Sequence, residues 1–379
     1  MPSVTIPKTR LLEALSLVAP ALAAGAKSGA DAFRVHSANG SIRVAACNFA
    51  LFLETSVAAS TAGDIRCCIP AKLLTPIIRE LDDGDLTISA GPGRLSALVL
   101  KAGRSTFRIT AVTPYEALPS PVAVLAATPG WELLGESFGS GLSSVMHSMS
   151  DDENRPTMRG VQIAFNKDRI VFTATDGRRL AQRTVSLTTP SEATQSVVLA
   201  RPAVLALARI MRSAQGTLQL NVCGNLTTGE FTPEAPEGIP SFIFQATNTE
   251  GLFPPIDKVL GAALMTPAKF SVPSIVLGET AKRVSLACDG EVPSITMAWS
   301  ESGLDFSGSG KGNETAAADT LVAEVTGPKG RVGVNPRFLC EAIAGVPSSN
   351  VAVTVGSTAC PVRLDSEGYA ALVMPMRQD

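Results

Sequence analysis

Apolar positions along the chain recur in two rhythms. Over residues 8–22 they fall at Leu11, Leu12, Leu15, Leu17, Val18 and Leu22, which lines one face of a helix. The period then shortens. Residues 33–36 and 41–46 read as strands joined at Asn39-Gly40, a pair suited to a two-residue hairpin turn. Residues 49–57, 65–69, 86–89, 97–102 and 105–110 read as further strands. A helix over residues 73–81 interrupts them, and Asp82-Asp83-Gly84-Asp85 stops it.

After a proline- and glycine-bearing join at 119–130 the pattern restarts. Residues 131–149 read as a helix, weakened by Gly135, Gly139 and Gly141. A hairpin follows at 158–165 and 169–175. An Asp176-Gly177 turn leads to a second apolar run, 180–185. A strand at 196–199, a helix at 203–211 and strands at 218–223 and 242–245 complete this stretch. A third stretch opens with a strand at 270–276 and a helix at 280–287, which the closeness of Pro273 and Gly278 predicts to be short. Strands at 295–299 and 304–309, a polar loop at 310–319 and strands at 321–325 and 332–334 come next. A helix at 338–344 and strands at 351–355, 360–364 and 369–375 end the chain.

One junction occurs three times. Ile69-Pro70-Ala71-Lys72-Leu73, Arg201-Pro202-Ala203-Val204-Leu205 and Asn335-Pro336-Arg337-Phe338-Leu339 each join a strand to a short apolar helix. Their prolines stand 132 and 134 residues apart, and proline suits a first helical turn because its missing N–H has no partner there. Near-equal spacing predicts three copies of one α+β unit, each with two helices on mostly antiparallel sheet. A doubly wound parallel sheet is excluded, since no glycine-rich nucleotide loop follows a first strand.

Composition narrows the chemistry. A length of 379 residues at 45% hydrophobic content allows several cores. The balance of 32 basic against 34 acidic residues argues against a uniformly cationic surface but permits a local one. Seven cysteines without a CxxC pair read as buried free thiols in a reducing compartment, and only two histidines make a zinc site improbable. No signal-like opening stands out, and a cytoplasmic protein is expected. Catalytic material is thin. Asp151, Asp152 and Glu153 read as a solvated loop, His147 as a packed helix residue, and His36 as part of an edge strand. Ser357 and Thr358 have no histidine near them in sequence. No catalytic residue, metal or cofactor is assigned.

Thr173-Ala174-Thr175-Asp176-Gly177-Arg178-Arg179-Leu180-Ala181, the stretch from Asp151 to Gly160, and the tail Val373-Met374-Pro375-Met376-Arg377 together resemble the bacterial DNA polymerase III beta subunit family, the sliding clamps. Gly103-Arg104-Ser105-Thr106-Phe107-Arg108-Ile109 and Glu250-Gly251-Leu252-Phe253-Pro254-Pro255 extend the resemblance in the family's order. It implies three clamp domains at 1–124, 125–262 and 263–379. It also implies a head-to-tail homodimeric ring around duplex DNA, tethering a polymerase without sequence specificity and catalysing nothing. The subunit interface would use Arg104, Phe107 and the strand after Ser105 on one side.

The resemblance further implies a cleft for short linear peptides of the replicative polymerase and the clamp loader. Its wall would take Met158, Thr175, Gly177, Arg178, Arg179 and Leu180 from the middle of the chain. Pro254, Val259, Phe338, Ala359 and Pro361 would follow, with Met374, Pro375, Met376 and Arg377 from the tail. Arg178 stands where the family commonly has histidine, and Phe338 where it has tyrosine. Cations facing DNA would be Lys27, Lys72, Arg79, Arg201, Arg209, Arg212, Lys282, Arg283 and Arg337. The first helix of the middle domain offers no Lys or Arg between Leu133 and Asp152. That gap keeps open an alternative, a divergent peptide-binding scaffold with weakened DNA function. A hydrolase with an inter-domain site and a purely structural ring are further readings.

Overall fold

The computed structural model describes residues 2–23, 31–48, 50–91, 97–111, 115, 130–235, 239–260, 267–288, 293–310, 315–356 and 360–376, with 257–258 as backbone only. The helices are α1 (Lys8–Val18), α2 (Ala71–Glu80), α3 (Gly135–Val145), α4 (Arg201–Met211), α5 (Asp257–Leu260), α6 (Ser274–Ser285) and α7 (Pro336–Ala344). The chain divides into two compact units. One comprises Met1–Gly139, Leu187–Gln195 and Pro202–Asn248; the other comprises Ser140–Ser186, Ser196–Arg201 and Thr249–Asp379.

The first unit holds two sheets. A five-stranded sheet runs in the order Ser60–Ala62, Ser3–Pro7, Asp85–Gly91, Ala97–Ala102, Ser105–Thr110. An eight-stranded sheet runs Trp131–Leu134, Gly216–Cys223, Leu226–Pro233, Phe242–Thr247, Leu51–Ala58, Ser41–Cys47, Ala32–Ala38, Ile65–Pro70. Its middle is the antiparallel pairing of Phe242 with Thr55 through Ala246 with Leu51, which joins sequence-distant stretches into one sheet. The Asn39-Gly40 turn has φ of 51° and 77°, the left-handed pair a two-residue hairpin needs. α1 buries Leu11, Ala14, Leu15, Leu17 and Val18. Each leucine so buried contributes about 1.5–3 kcal/mol.

The second unit also holds two sheets. Its eight-stranded sheet runs Gln195–Leu199, Val161–Phe165, Arg169–Thr175, Arg179–Ser186, Tyr369–Val373, Val362–Ser366, Asn350–Val355, Ala268–Pro273. The antiparallel pairing of Arg179–Ser186 with Tyr369–Val373 sets the chain's last strand beside the strand that follows Asp176-Gly177. A four-stranded sheet runs Ala316–Leu321, Gly303–Ser309, Ile295–Ser300, Gly330–Val334. α6 and α7 pack side by side, closely enough that a Cβ on Gly278 would meet Ile343 Cγ2 at 3.3 Å.

Several elements differ from the sequence reading. Residues 131–149 are not one helix: Trp131–Leu134 is an edge strand, and only α3 is α-helical before a short 3-10 turn at Met146–Ser148. In these four residues Trp131 with Leu133 fits a strand face and Trp131 with Leu134 a helix face, so pattern alone cannot separate the two. Leu226–Pro233 is a strand that the sequence reading omits, its mixed Thr, Gly and Glu content hiding the alternation. α6 spans 12 residues and is not short, because Pro273 sits at its N-cap and Gly278 serves the contact with α7. Part of the expected polar loop, Ala316–Leu321, is an edge strand. His36 lies on an interior strand, flanked by Ser41–Cys47 and Ile65–Pro70. The cysteines are free, but Cys47, Cys67 and Cys68 alone are buried, and Cys223 is exposed. Burial pushes the Cys67 thiol up to about 12. No described helix is long and apolar enough to cross a membrane.

Candidate peptide-docking cleft

The cleft lies within the second unit and begins at a turn. Thr175 pairs with Leu180 across the hairpin, leaving residues 176–178 as the loop and Arg179 at its closing end. Asp176 organises that loop. Its Oδ1 accepts the backbone N–H of Arg178 at 2.8 Å and of Arg179 at 2.9 Å, a side-chain mimic of a backbone turn. Thr175 Oγ1 accepts from Gly177 N at 3.1 Å and donates to Arg179 O at 2.7 Å. Gly177 has φ of 86°, a conformation that disfavours any side chain there.

The C-terminal segment is fastened alongside. Arg179 pairs with Val373 in the sheet, and Met374 N donates to Arg178 O at 2.9 Å. Met376 N donates to Gly333 O at 2.8 Å, so the tail runs from the turn towards α7. Met374 is exposed and Pro375 and Met376 are half-buried. Val362 pairs with Val373, which sets the half-buried Pro361 at the register position opposite Met374. Under the turn, Leu180, Ile256 and Leu372 form a buried apolar cluster with Phe253 and Leu260 packed against it. Pro254 is half-buried and Val259, on α5, is exposed.

α7 supplies the aromatic wall. Asn335 caps it, its Oδ1 accepting from Arg337 N at 3.0 Å and Phe338 N at 3.3 Å. The Arg179 guanidinium stacks over the Phe338 ring at 4.2 Å, bonds Asp176 Oδ2 at 3.0 Å, and pairs with Glu341 on α7. Arg337 lies 5.6 Å from the same ring. A cavity of about 470 Å³ opens here, lined by Ser150, Asp151, Asp152, Arg155, Asp176, Gly177, Arg178, Arg337 and Phe338.

Gly177, Arg178 and Phe338 therefore line the cavity. Met158 lies behind the turn, its Cε 3.9 Å from where a Gly177 Cβ would stand, and Thr175, Arg179 and Leu180 are buried beneath. Ala359 and Arg377 lie outside the described residues. Sequence reasoning did not name Ser150, Asp152, Arg155, Phe253, Ile256 or Glu341 for the cleft. Asp152 and Arg155 were visible in the stretch that carries the resemblance; Glu341 meets Arg179 only through the fold.

Buried polar groups sit close by. His147 Nε2 and the hydroxyls of Ser143 and Ser148 are enclosed without a hydrogen-bond partner among the described residues. Desolvation, and secondarily the Arg179 charge, push the His147 imidazole down to about 4, so it is neutral near pH 7. No cluster of His, Cys, Asp or Glu among the described residues is arranged to hold a metal.

The DNA-facing cations expected from sequence fall on or beside helices. Lys72 and Arg79 are exposed on α2, Arg209 on α4 and Arg212 just after it, and Lys282 and Arg283 on α6. Arg283 is tied to Asp319 at 2.7 Å, and Arg201 to Asp151 at 3.0 Å. Arg337 stands at the cavity wall, and Lys27 lies outside the described residues. α3 carries Glu136 and no cation.

Residues 132–237 match the family profile described as DNA polymerase III beta subunit, central domain. The chain matches the bacterial beta sliding clamp family. The beta sliding clamp of Synechocystis is 24% identical over 353 residues, 89% of this chain and 88% of that protein. That of Pseudomonas aeruginosa is 25% identical over 84% of this chain and 83% of the relative. The crystal structure of the DNA polymerase sliding clamp from Bacillus subtilis superposes with a TM-score of 0.89 at 15% identity, covering all of both chains. The DNA polymerase III subunit beta from Pseudomonas aeruginosa gives 0.87 at 20% identity over 99% and 100%. The clamp fold thus extends over the full length.

Proposed function

We propose that this protein is a DNA sliding clamp, a processivity factor that encircles duplex DNA and tethers a polymerase. One observation carries the reading. The turn at 176–178 and Phe338 line one cavity, and the Met374–Met376 tail is hydrogen-bonded to that same turn, although the three are far apart in sequence. A tether works by raising the polymerase's effective concentration at the primer end, so it needs a docking cleft and a topological hold on DNA, not an active site.

The chain forms three clamp domains, 1–124, 125–262 and 263–379, and two chains close head to tail into a ring. Strand–helix junctions at Pro70, Arg201 and Pro336 support the threefold division, each leading directly into α2, α4 or α7. Two strand edges that have no further partner among the described residues support the closure. Ser105–Thr110 ends the five-stranded sheet with Phe107 38% exposed, and Ala316–Leu321 ends the four-stranded sheet. A strand edge of this kind is a template on which another chain can pair. Lys72, Arg79, Arg209, Arg212, Lys282 and Arg283 face the DNA phosphates, with Lys27, Arg201 and Arg337 beside them. They act without base contacts, so the ring slides. The cleft takes short linear peptides of the polymerase and the clamp loader. The ring works on DNA in the cytoplasm.

Primer extension with the cognate polymerase and loader tests this. Products lengthen by an order of magnitude or more on adding the protein if it is a processivity clamp. Unchanged product length contradicts it. The absence of any cation on α3, which carries only Glu136, favours a second reading, a clamp-like scaffold whose peptide cleft works while its hold on DNA is weak. That reading expects peptide binding with no lengthening.

A further inference from the structure

The first unit holds a cavity of its own, about 280 Å³, on the edge strand Trp131–Leu134. Glu132 pairs with Gln219 on the neighbouring strand, and strand alternation puts Asn221 on the same face as Gln219. Gly130 lines the inner end, and Thr189 closes the outer side by bridging to Glu132. No Lys, Arg or His is among the described residues of its wall. Glu132 is therefore the one charge there. Its half-buried carboxylate accepts from Thr188 Oγ1 at 3.0 Å, and from Thr189 Oγ1 and Gln219 Nε2 at 3.4 Å each. All three donors are neutral, so the charge has no counter-ion among the described residues. A carboxylate offers about four lone-pair positions, which leaves one open.

A second group in the same wall also lacks a partner. Asn221 is 7% exposed, and its Oδ1 has no hydrogen-bond partner among the described residues. A Cβ on Gly130 would stand 2.6 Å from that oxygen, so glycine at 130 keeps the space beside the amide free. A turn about the amide's terminal torsion, which is soft in asparagine, presents the oxygen to the cavity. Thr228 pairs with Asn221 in the sheet, and its hydroxyl is likewise buried without a partner. The cavity thus offers a carboxylate and an amide oxygen, and supplies no charged donor to either. A bound water serves Asn221 but leaves Glu132 without a counter-charge.

We propose that this cavity binds a guanidinium group, carried by a small alkylguanidine or by an arginine side chain of another protein. The site is separate from the docking cleft and does not depend on the clamp reading. A guanidinium has N–H donors on every edge of its plane, so one group reaches Glu132 on one side and Asn221 on another. It is also weakly hydrated, which suits a half-buried site better than an ammonium does. A divalent metal ion is a poorer fit, because one carboxylate in the wall supplies too little charge and too few oxygens.

Isothermal titration of the full chain at low salt with butylguanidinium, and with butylurea as its uncharged near-isostere, provides the test. Butylguanidinium should bind with a Kd on the order of 1 mM, as befits so small a ligand, and about five-fold or more tighter than butylurea. Glu132→Gln, which keeps the shape and loses the charge, should remove that preference. Asn221→Leu should weaken butylguanidinium about two-fold or more. Gln219→Lys, at an exposed strand position, brings an ammonium of the protein's own to Glu132 and should abolish binding with the carboxylate still in place. Acetyl-arginine methylamide separates the two sources. Binding as tight as butylguanidinium assigns the site to an arginine side chain, and much weaker binding assigns it to a free alkylguanidine. Equal binding of butylguanidinium and butylurea, no binding of either, or a preference that survives both Glu132→Gln and Gln219→Lys overturns the proposal.

Discussion

Arg179 uses its whole guanidinium inside the protein: one edge on Asp176, another on Glu341, its face on Phe338. Removing it strands two carboxylates and uncovers a ring, so Arg179→Ala should cost about 1–3 kcal/mol by chemical denaturation and loosen the cleft. Arg179→Lys recovers little, since an ammonium cannot span the three contacts. His147 acts in the opposite sense. Its folded-state value, about 4, lies below the ordinary 6.5, so the unfolded chain binds the proton more readily. Its contribution is therefore neutral above pH 6.5 and destabilising as pH falls from 6.5 towards 4. It approaches roughly 3 kcal/mol at the lower end. His36 is also pushed down, mainly by burial and then by Arg43, and adds in the same direction. His147→Gln should flatten the acid limb of a denaturation-midpoint-against-pH curve; an unchanged limb would contradict this account. Gly141 has steric reasons to be glycine. A Cβ would stand 2.4 Å from the Phe172 ring, so Gly141→Ala should destabilise by about 1–3 kcal/mol.

Among the elements, α7 does most to shape the cleft. Asn335 starts it, and Tyr369 on the last strand fixes its far end, the hydroxyl donating to Ala342 O at 2.7 Å. Asn335→Ala removes two capping acceptances and should cost about 0.5–2 kcal/mol, with a loss of peptide affinity because Phe338 is placed by the same turn. The elements also show what a linear chain discloses. The Asn39-Gly40 hairpin, the Asp176-Gly177 turn and the proline-led junctions were legible because local backbone chemistry decides them. Trp131–Leu134 was misread because four residues fit both periods, and α6 because proline and glycine were taken as breakers when one caps and the other packs. For the cleft, the turn and the tail were legible as motifs. The floor at Ile256 and Phe253 and the Arg179–Glu341 pair were not, because 162 residues separate the partners of that pair and only the folded sheet brings them together.

For the whole molecule, the edges at Ser105–Thr110 and Ala316–Leu321, unpaired among the described residues, set the expectation. The account requires a dimer of about 78 kDa, twice the 39.2 kDa of one chain. Phe107→Asp puts a charge on an exposed edge aromatic and should shift the native mass towards the monomer without altering the folded circular-dichroism signature. The most direct measurement is retention of labelled protein on a nicked circular plasmid after loading by a cognate loader ATPase, before and after one cut linearises the DNA. An encircling ring stays on the circle through a salt wash and leaves once the DNA has ends. Protein that never survives the wash, or that remains equally bound after linearisation, contradicts the ring.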